Sequence, residues 1–587
     1  MTALIRKYSA LLAAGVILLA LIAAPYLNTE NPDSAVFRSG SLTCILLIAC
    51  LYPAHRTLRT QSLRALVYGC AFGAIFAVCL SLGAELRVYG GLLPGMGSLV
   101  RRAAVPVMIT PLLGVFASHA FSCRPAMRDQ QAAPIPALAF FLLFALCYAA
   151  VLLALYPGVI SYDFQHEIRQ FTEGAYEAAH PVFHTLFLGA LFSLGEALFG
   201  SMTAGAALYH SVQLLLLAGM YAWACAFVQS RIRCRAVVIA LAVGFALLPF
   251  HSVLAVSTAK DPLFAGLCVL LCLFLWEMAE DPSAFLRSRL HRARFALCCL
   301  FMALLRHNGI FAYVPAFAAV LVLCRPQRAR ALVVVCITLA LTLLIPKGLE
   351  TAVGATKTPS TELMSIPCQQ LMRTANYAKL TEHEFDQIER WFPGATHTYR
   401  ANCADPAKGG NFNLGRYQEY PMAFFKTYVK YGLMHPRIYI EAFLLNCVGL
   451  WYPDDISHAH SLSNEENEYI YLNTTYPFAE GVYPIEAKSR FPALQKLLYA
   501  STHDSVHQNV PFLAQLYCPA VYSFLLLLTT LRLFFTRRRK AALCLLPIWG
   551  IFLSLLFSAG IFIRYTYPIM AAVPLLLALA YCTQDAA

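Results

Sequence analysis

Stretches of about twenty apolar residues recur along this chain, and no other feature limits its fold as strongly. An α-helix rises ~1.5 Å per residue, so ~20 such residues cross the ~30 Å hydrocarbon core of a bilayer. In hydrocarbon each backbone N–H and C=O must find its partner within the protein, which favours helices as the spanning form. Runs of this kind fall near 8–27, 37–53, 63–84, 103–121, 135–156, 205–228, 236–256, 260–277, 293–306, 309–324, 331–346, 512–534, 541–558 and 562–582. The expectation is an all-α polytopic membrane protein with about fourteen transmembrane helices. Of the 587 residues 59% are hydrophobic and 13% charged, where soluble domains average ~25% charged. So little polar sequence cannot coat several soluble domains, which excludes a soluble enzyme, a disordered chain and a secreted disulfide scaffold.

Lys and Arg in short loops orient such a chain, because they are retained on the cytoplasmic side. Starting inside at Arg6, the groups around Arg56, Arg124, Arg231, Arg287, Arg325 and Arg537 alternate correctly if 182–228 makes one net crossing. Residues 182–199, which follow a polar His-Pro, are then expected to be interfacial or re-entrant, and both termini lie inside a cytoplasmic (inner) membrane. Arg101 and Arg102 are the exception to the rule. The chain divides into a four-helix extension (1–134), a membrane module (135–346) with a first external loop (157–181), an external and mostly helical or irregular domain (347–511), and three closing helices (512–587). The external block carries 14 basic and 17 acidic residues, a net of −3 against +13 for the chain. The basic excess therefore sits in the membrane parts as a topology signal, and nucleic acid is not an expected partner.

Most of the 20 cysteines lie inside apolar runs, where a thiol behaves as a small hydrophobe. Cys268 and Cys272 have helical spacing, but no His or carboxylate accompanies them. Cys368 and Cys403 lie in the external block, where a disulfide between them is chemically open.

The scarce polar residues at the outer helix ends are the candidates for chemistry, since each is costly inside the bilayer. Asp163, in the first external loop, suits a base or a metal ligand; its other reading is a cap for the next helix. Glu167, one turn later, shares that face or is a solvated helix charge, and His180-Pro181 closes the loop. Lys260-Asp261-Pro262 offers a phosphate-binding cation beside a second carboxylate, or a capped helix start with a snorkelling lysine. Arg306-His307-Asn308-Gly309 interrupts an apolar run: Arg306 suits bidentate phosphate recognition, and Asn308-Gly309 signals a turn. Arg564 opens the last helix as a phosphate contact or an interface anchor. His210, His251 and Glu196 read as packed polar singletons, Trp451 to Asp455 as a loop, and His503 and His507 as an incomplete ligand set.

In order along the chain, Pro157-Gly158…Ser161-Tyr162-Asp163, His180-Pro181…Thr185-Leu186, Ser257 to Pro262, Arg306 to Gly309 and Arg564-Tyr565 resemble the GT-C superfamily of membrane glycosyltransferases. More closely they resemble an uncharacterised bacterial family of that superfamily, over roughly 135–587; Val182 stands where a His-Pro-Pro motif would have its third residue. The resemblance implies a GT-C-like fold and transfer of a sugar from a polyprenyl-phosphate donor to an extracytoplasmic glycan, lipid or protein acceptor. It implies Asp163 and Asp261 as catalytic groups or joint holders of a divalent metal (Mg or Mn), with Glu167, His180, Lys260, Arg306, Asn308 and Arg564 binding substrate. The competing expectation is a lipid or glycan transporter or flippase. Such proteins more often show repeats and polar residues at the membrane midplane, whereas here the polar groups gather toward one face.

Overall fold

A computed structural model describes residues 1–27, 40–123, 133–161, 163–232, 234–357, 361–409, 411–454, 485–502 and 513–583. Arg124, Arg128, Tyr162, Arg233, Asp455, the Asn473 sequon and the His503–His507 pair lie outside these residues. Among the described residues the regular elements are helices, and strand pairing is limited to isolated bridges.

Among the described residues eight helices are long and apolar enough to cross a membrane: α1 (Leu63–Tyr89), α2 (Met96–Ser122), α3 (Ala137–Ala154), α4 (Val182–Phe199), α5 (Met202–Gln229), α6 (Asp261–Glu280), α7 (Arg325–Ala352) and α8 (Ile563–Cys582). The chain is thus an all-α, multi-pass membrane protein. The fourteen expected spans shrink for local reasons. The run at 236–256 breaks at Pro249 into two helices bent by 53°, and counting them as one span gives nine. The run at 37–53 meets two ten-residue helices, Gly40–Ala49 and Leu51–Thr60. The run at 293–306 belongs to Arg289–Leu305, whose first turns carry Arg289, Arg292 and Arg294, and 309–324 becomes the fourteen-residue Ile310–Leu323. In the last third, 512–534 and 541–558 become Pro519–Phe535 and Leu546–Leu555. Residues 182–199 form α4, which pairs with α5 across Gly200. Gln229 at the end of α5 bonds Ile135 just before α3, so α5 begins at the far end of α3, where α4 also starts and finishes, and 182–228 makes one net passage through the bundle, as expected. Gly195 and Gly205 let the pair close: a Cβ on Gly195 would lie 2.5 Å from the Gly205 Cα.

The N-terminal extension uses the same device. Gly69 and Gly73 of α1 face Gly114 of α2, and a Cβ on Gly69 would lie 2.2 Å from the Gly114 carbonyl. Small residues four apart allow this backbone approach inside a membrane, where packing rather than hydrophobicity holds helices together. Arg102, the exception to the charge rule, is explained here: it ion-pairs with the buried Glu85 at 2.9 Å and donates to the Leu93 carbonyl.

The polar block begins later than expected, because α7 runs on to Ala352. It folds around its own aromatic core, with Trp391, Phe392, Phe412, Phe424 and Tyr431 buried together. Helices Glu382–Glu389 and Pro421–Met434 fall where the sequence places them. Cys368 and Cys403 are both buried and are not joined to each other, so the disulfide left open by the sequence is absent from this structure. This cap is tied to the extension by Arg373, which pairs with Glu441 at 2.9 Å and donates to the Gly90 carbonyl, while Glu441 accepts from Leu92 N–H. At the centre of the membrane module lie α6 and α8, with 83% and 78% of their apolar windows buried, against 22–56% for the other six. These two helices carry Asp261 and Arg564 at their starts, so the charged site rests on the most deeply buried helices of the bundle.

Candidate functional site

After α3 the chain turns at Pro157-Gly158 and runs alongside Val256–Thr258. Val159 N–H donates to Val256 O (2.8 Å), Thr258 N–H to Val159 O (2.9 Å) and Ser161 N–H to Thr258 Oγ1 (2.7 Å). Gly158 is required at the turn. Its φ is +126°, and a Cβ there would lie 2.2 Å from Nδ1 of His210, which donates to the Pro157 carbonyl. This pairing makes a strap of two extended segments and sets Asp163 and Lys260, which stand just beyond it, against each other.

Lys260 is the hub. Its ammonium, buried in the protein, spends its three N–H bonds on Asp163 Oδ2 (3.1 Å), Glu167 Oε1 (3.4 Å) and His180 Nδ1 (3.1 Å). Arg564 Nη1 approaches the same Asp163 oxygen at 3.9 Å, and Arg306 ion-pairs with Asp261. Both guanidiniums lie within 5 Å of the Tyr565 ring centre, Arg306 at 4.9 Å and Arg564 at 4.8 Å. That geometry combines cation–π attraction with a fixed spacing of two donor forks. Burial pushes the Asp163 carboxyl up, but Lys260, then Arg564 and His180, outweigh it and hold the group well below the ordinary carboxylate range. Burial also opposes ionisation of Glu167, and His184 and Lys260 overcome it, so this carboxyl too sits below its usual value. Burial and Lys260 both lower His180, which therefore stays neutral and accepts from the lysine.

These contacts choose between the alternatives left by the sequence. Asp163 precedes the helix Phe164–Glu173 but makes no side-chain cap; it turns to Lys260. Glu167 is fully buried, not a solvated charge, and Lys260 does not snorkel. Arg306 is both a helix end and an ion-pair partner, and His307–Gly309 forms the expected tight turn. Asn308 is exposed on that turn and does not join the cluster around Lys260. His210 and His251 are buried and hydrogen-bonded, His251 to Tyr567 OH at 2.8 Å, as packed polar residues should be, whereas Glu196 is exposed and not packed.

Sequence reading missed a second layer. His184 places Nδ1 2.9 Å from Glu167 Oε2 and Nε2 3.0 Å from Tyr209 OH. Tyr209 donates to Gln213 Oε1 (2.9 Å), and Gln213 Nε2 donates to the carbonyls of Ser257 (2.5 Å) and Ala255 (3.2 Å). The signal was present as two i,i+4 polar pairs, His180/His184 and Tyr209/Gln213, the second on a helix that is otherwise largely apolar. The cap supplies a third layer. Ala404 N–H donates to Ala559 O (2.6 Å) and Asn446 to Ser558 O (2.8 Å), so the segment leading into Arg564 is held from the cap side.

Asp163 and Asp261 each face a cation, and among the described residues no group of three His, Cys, Asp or Glu side chains gathers to hold a metal ion. In this arrangement the donor set does not fit a resident divalent ion.

A bundle of crossing helices under a helical cap, with a buried ionic cluster at the cap-side ends of its two central helices, defines the class: a multi-pass membrane protein with a charged cluster at one end of its bundle. The chain belongs to the family of unknown function DUF6020, whose profile matches residues 171–587. The match includes Lys260, Asp261, Arg306 and Arg564 and starts after Asp163 and Glu167. No curated protein and no solved structure matches the chain.

Proposed function

We propose that the protein is an integral membrane glycosyltransferase of the GT-C kind. In this reading it sits in a bacterial inner membrane with both termini cytoplasmic and the site on the outer face, as the loop charges argue. It moves a sugar from a polyprenyl-phosphate donor to an extracytoplasmic glycan, lipid or protein acceptor. One observation carries the reading. Asp163, Lys260, Asp261, Arg306 and Arg564, from four separate stretches of sequence, meet at one end of the bundle as two carboxylates among three cations. A transporter reading asks for polar groups near mid-membrane and finds less support.

The chemistry follows from the charges. A donor phosphate entering between Lys260, Arg306 and Arg564 takes over cations that now hold the carboxylates. Asp163 then loses counter-charge and becomes a stronger base. It accepts the proton of the acceptor hydroxyl as that oxygen attacks the anomeric carbon. The bond from that carbon to the phosphate oxygen breaks, polyprenyl phosphate leaves with the electron pair and stays neutralised by the three cations, and Asp163 returns its proton to water. No step is routed through a metal. Transfer is expected to survive chelation; loss on EDTA treatment with recovery on Mg or Mn would restore the metal reading of Asp163 and Asp261.

The decisive experiment is Asp163→Asn. It is expected to abolish transfer, measured as the glycan or lipid species missing from extracts of a deletion strain, while the variant stays at wild-type level in the membrane. Full complementation by that variant sinks the proposal.

A further inference from the structure

The hydrogen-bond directions in the second layer leave one proton assignment. Gln213 turns its amide nitrogen to the backbone carbonyls of Ser257 and Ala255, which only accept, so its Oε1 must face Tyr209. The reverse orientation would press oxygen against oxygen at 2.5 Å. Because Oε1 only accepts, Tyr209 donates its single proton there. The lone pairs of the Tyr209 oxygen are then what His184 Nε2 meets at 3.0 Å, so Nε2 carries a proton. At the other edge, Nδ1 meets Glu167 Oε2 at 2.9 Å, a contact that needs one more proton between nitrogen and oxygen. The other Glu167 oxygen accepts from Lys260. His184, Tyr209 and Gln213 are completely buried, as is Glu167, so these polar groups find their partners in one another.

We infer that His184 is an imidazolium, both ring nitrogens protonated, that neutralises Glu167 and so leaves the charge of Lys260 to Asp163. His184 is a positioning residue: it touches no substrate in the proposed reaction and acts on Lys260 through Glu167. The ionised and polar groups around it are Glu167 on Phe164–Glu173, Tyr209 on α5, Lys260 and Asp163 behind Glu167, and His180 on its own loop. The ring of contacts closes on itself. Lys260 binds Glu167, Glu167 binds His184, His184 binds Tyr209, Tyr209 binds Gln213, and Gln213 holds the strap at Ser257, three residues before Lys260. With Glu167 neutralised from behind, Lys260 is left as a cation that a phosphate can recruit from Asp163; this last use rests on the transferase reading, whereas the proton assignment does not.

The test is nuclear magnetic resonance of the full chain, 15N-labelled at histidine, in lipid nanodiscs at pH 7, with the His184 signals identified by difference against His184→Gln. Two protonated ring nitrogens are expected for His184. One protonated and one bare nitrogen overturns the inference, whatever the chain transfers. Thermal unfolding gives a second measurement if His184→Gln folds poorly. His184→Gln leaves a buried carboxylate that only Lys260 answers, whereas Glu167→Gln with His184→Gln removes both charges together. The double variant is expected to melt above His184→Gln; melting at or below it counts against a charged His184.

Discussion

At the scale of single residues, Lys260 decides what Asp163 can do. A carboxyl held below its unfolded value stabilises the fold above that value, about 4, and the contribution is lost as pH falls through the lower, folded-state value. Melting temperature is therefore expected to drop on acidification below about pH 4, and to drop less in Asp163→Asn. Lys260→Met removes the largest influence holding Asp163 down. In that variant the acid limb of the rate profile is expected to move to higher pH, and an unmoved limb would show that Asp163 is not the titrating base. Asp163, Lys260 and Arg564 stood out in the sequence because a charge at the end of an apolar run is costly and rare. Their pairing did not, because Lys260 lies 97 residues from Asp163 and nothing in local periodicity links them.

At the scale of elements, glycines set the close approaches on which the site depends. Gly158→Ala would place a Cβ on the His210 ring at a φ that side chains rarely adopt, and is expected to cost ~1–3 kcal/mol or more, by the usual size of overpacking effects. Gly114→Val should separate α1 from α2 in the same way; scanning fluorimetry of the purified protein would read both as lowered melting temperatures. Helices stop at Pro249, at Gly200 and before the arginine-rich start of Arg289–Leu305, although the apolar run 236–256 reads straight through Pro249. The number of full spans was not legible in advance, because hydropathy counts apolar residues and does not see a 53° bend or a helix that ends a turn early. For 182–199 the opening His-Pro marked a segment that stays at one end of the bundle; what it did not show is that His180 and His184 both join the buried network while the rest of α4 packs against α5.

At the scale of the whole molecule, the cap is bound to both ends of the chain. Arg373 and Glu441 are 2% and 4% exposed, and together they grip the turn between α1 and α2 through the Gly90 carbonyl and the Leu92 N–H. Breaking a buried pair by removing one partner typically costs ~3–5 kcal/mol. Arg373→Met is accordingly expected to destabilise the cap and open it to protease, while the bundle remains in the membrane; unchanged proteolysis would show that the pair does not hold the cap. Since Ala404 also bonds the segment before Arg564, loosening the cap should weaken the site as well. The block at 347–511 was legible as a polar domain from its charge and turn residues. Its grip on residues 90–92 was not, because that contact joins positions about 350 residues apart.

The sequence by itself determined that this chain lives in a membrane, since apolar runs of spanning length leave a folded chain no other solvent, and it marked where charge could not be accidental. The tertiary structure decided which of those charges meet, which capping and snorkelling alternatives fall away, and that His184, Tyr209 and Gln213 stand behind them. The reason is that burial of an apolar run is a local property of composition, whereas an ion pair exists only where packing brings distant residues within hydrogen-bond reach.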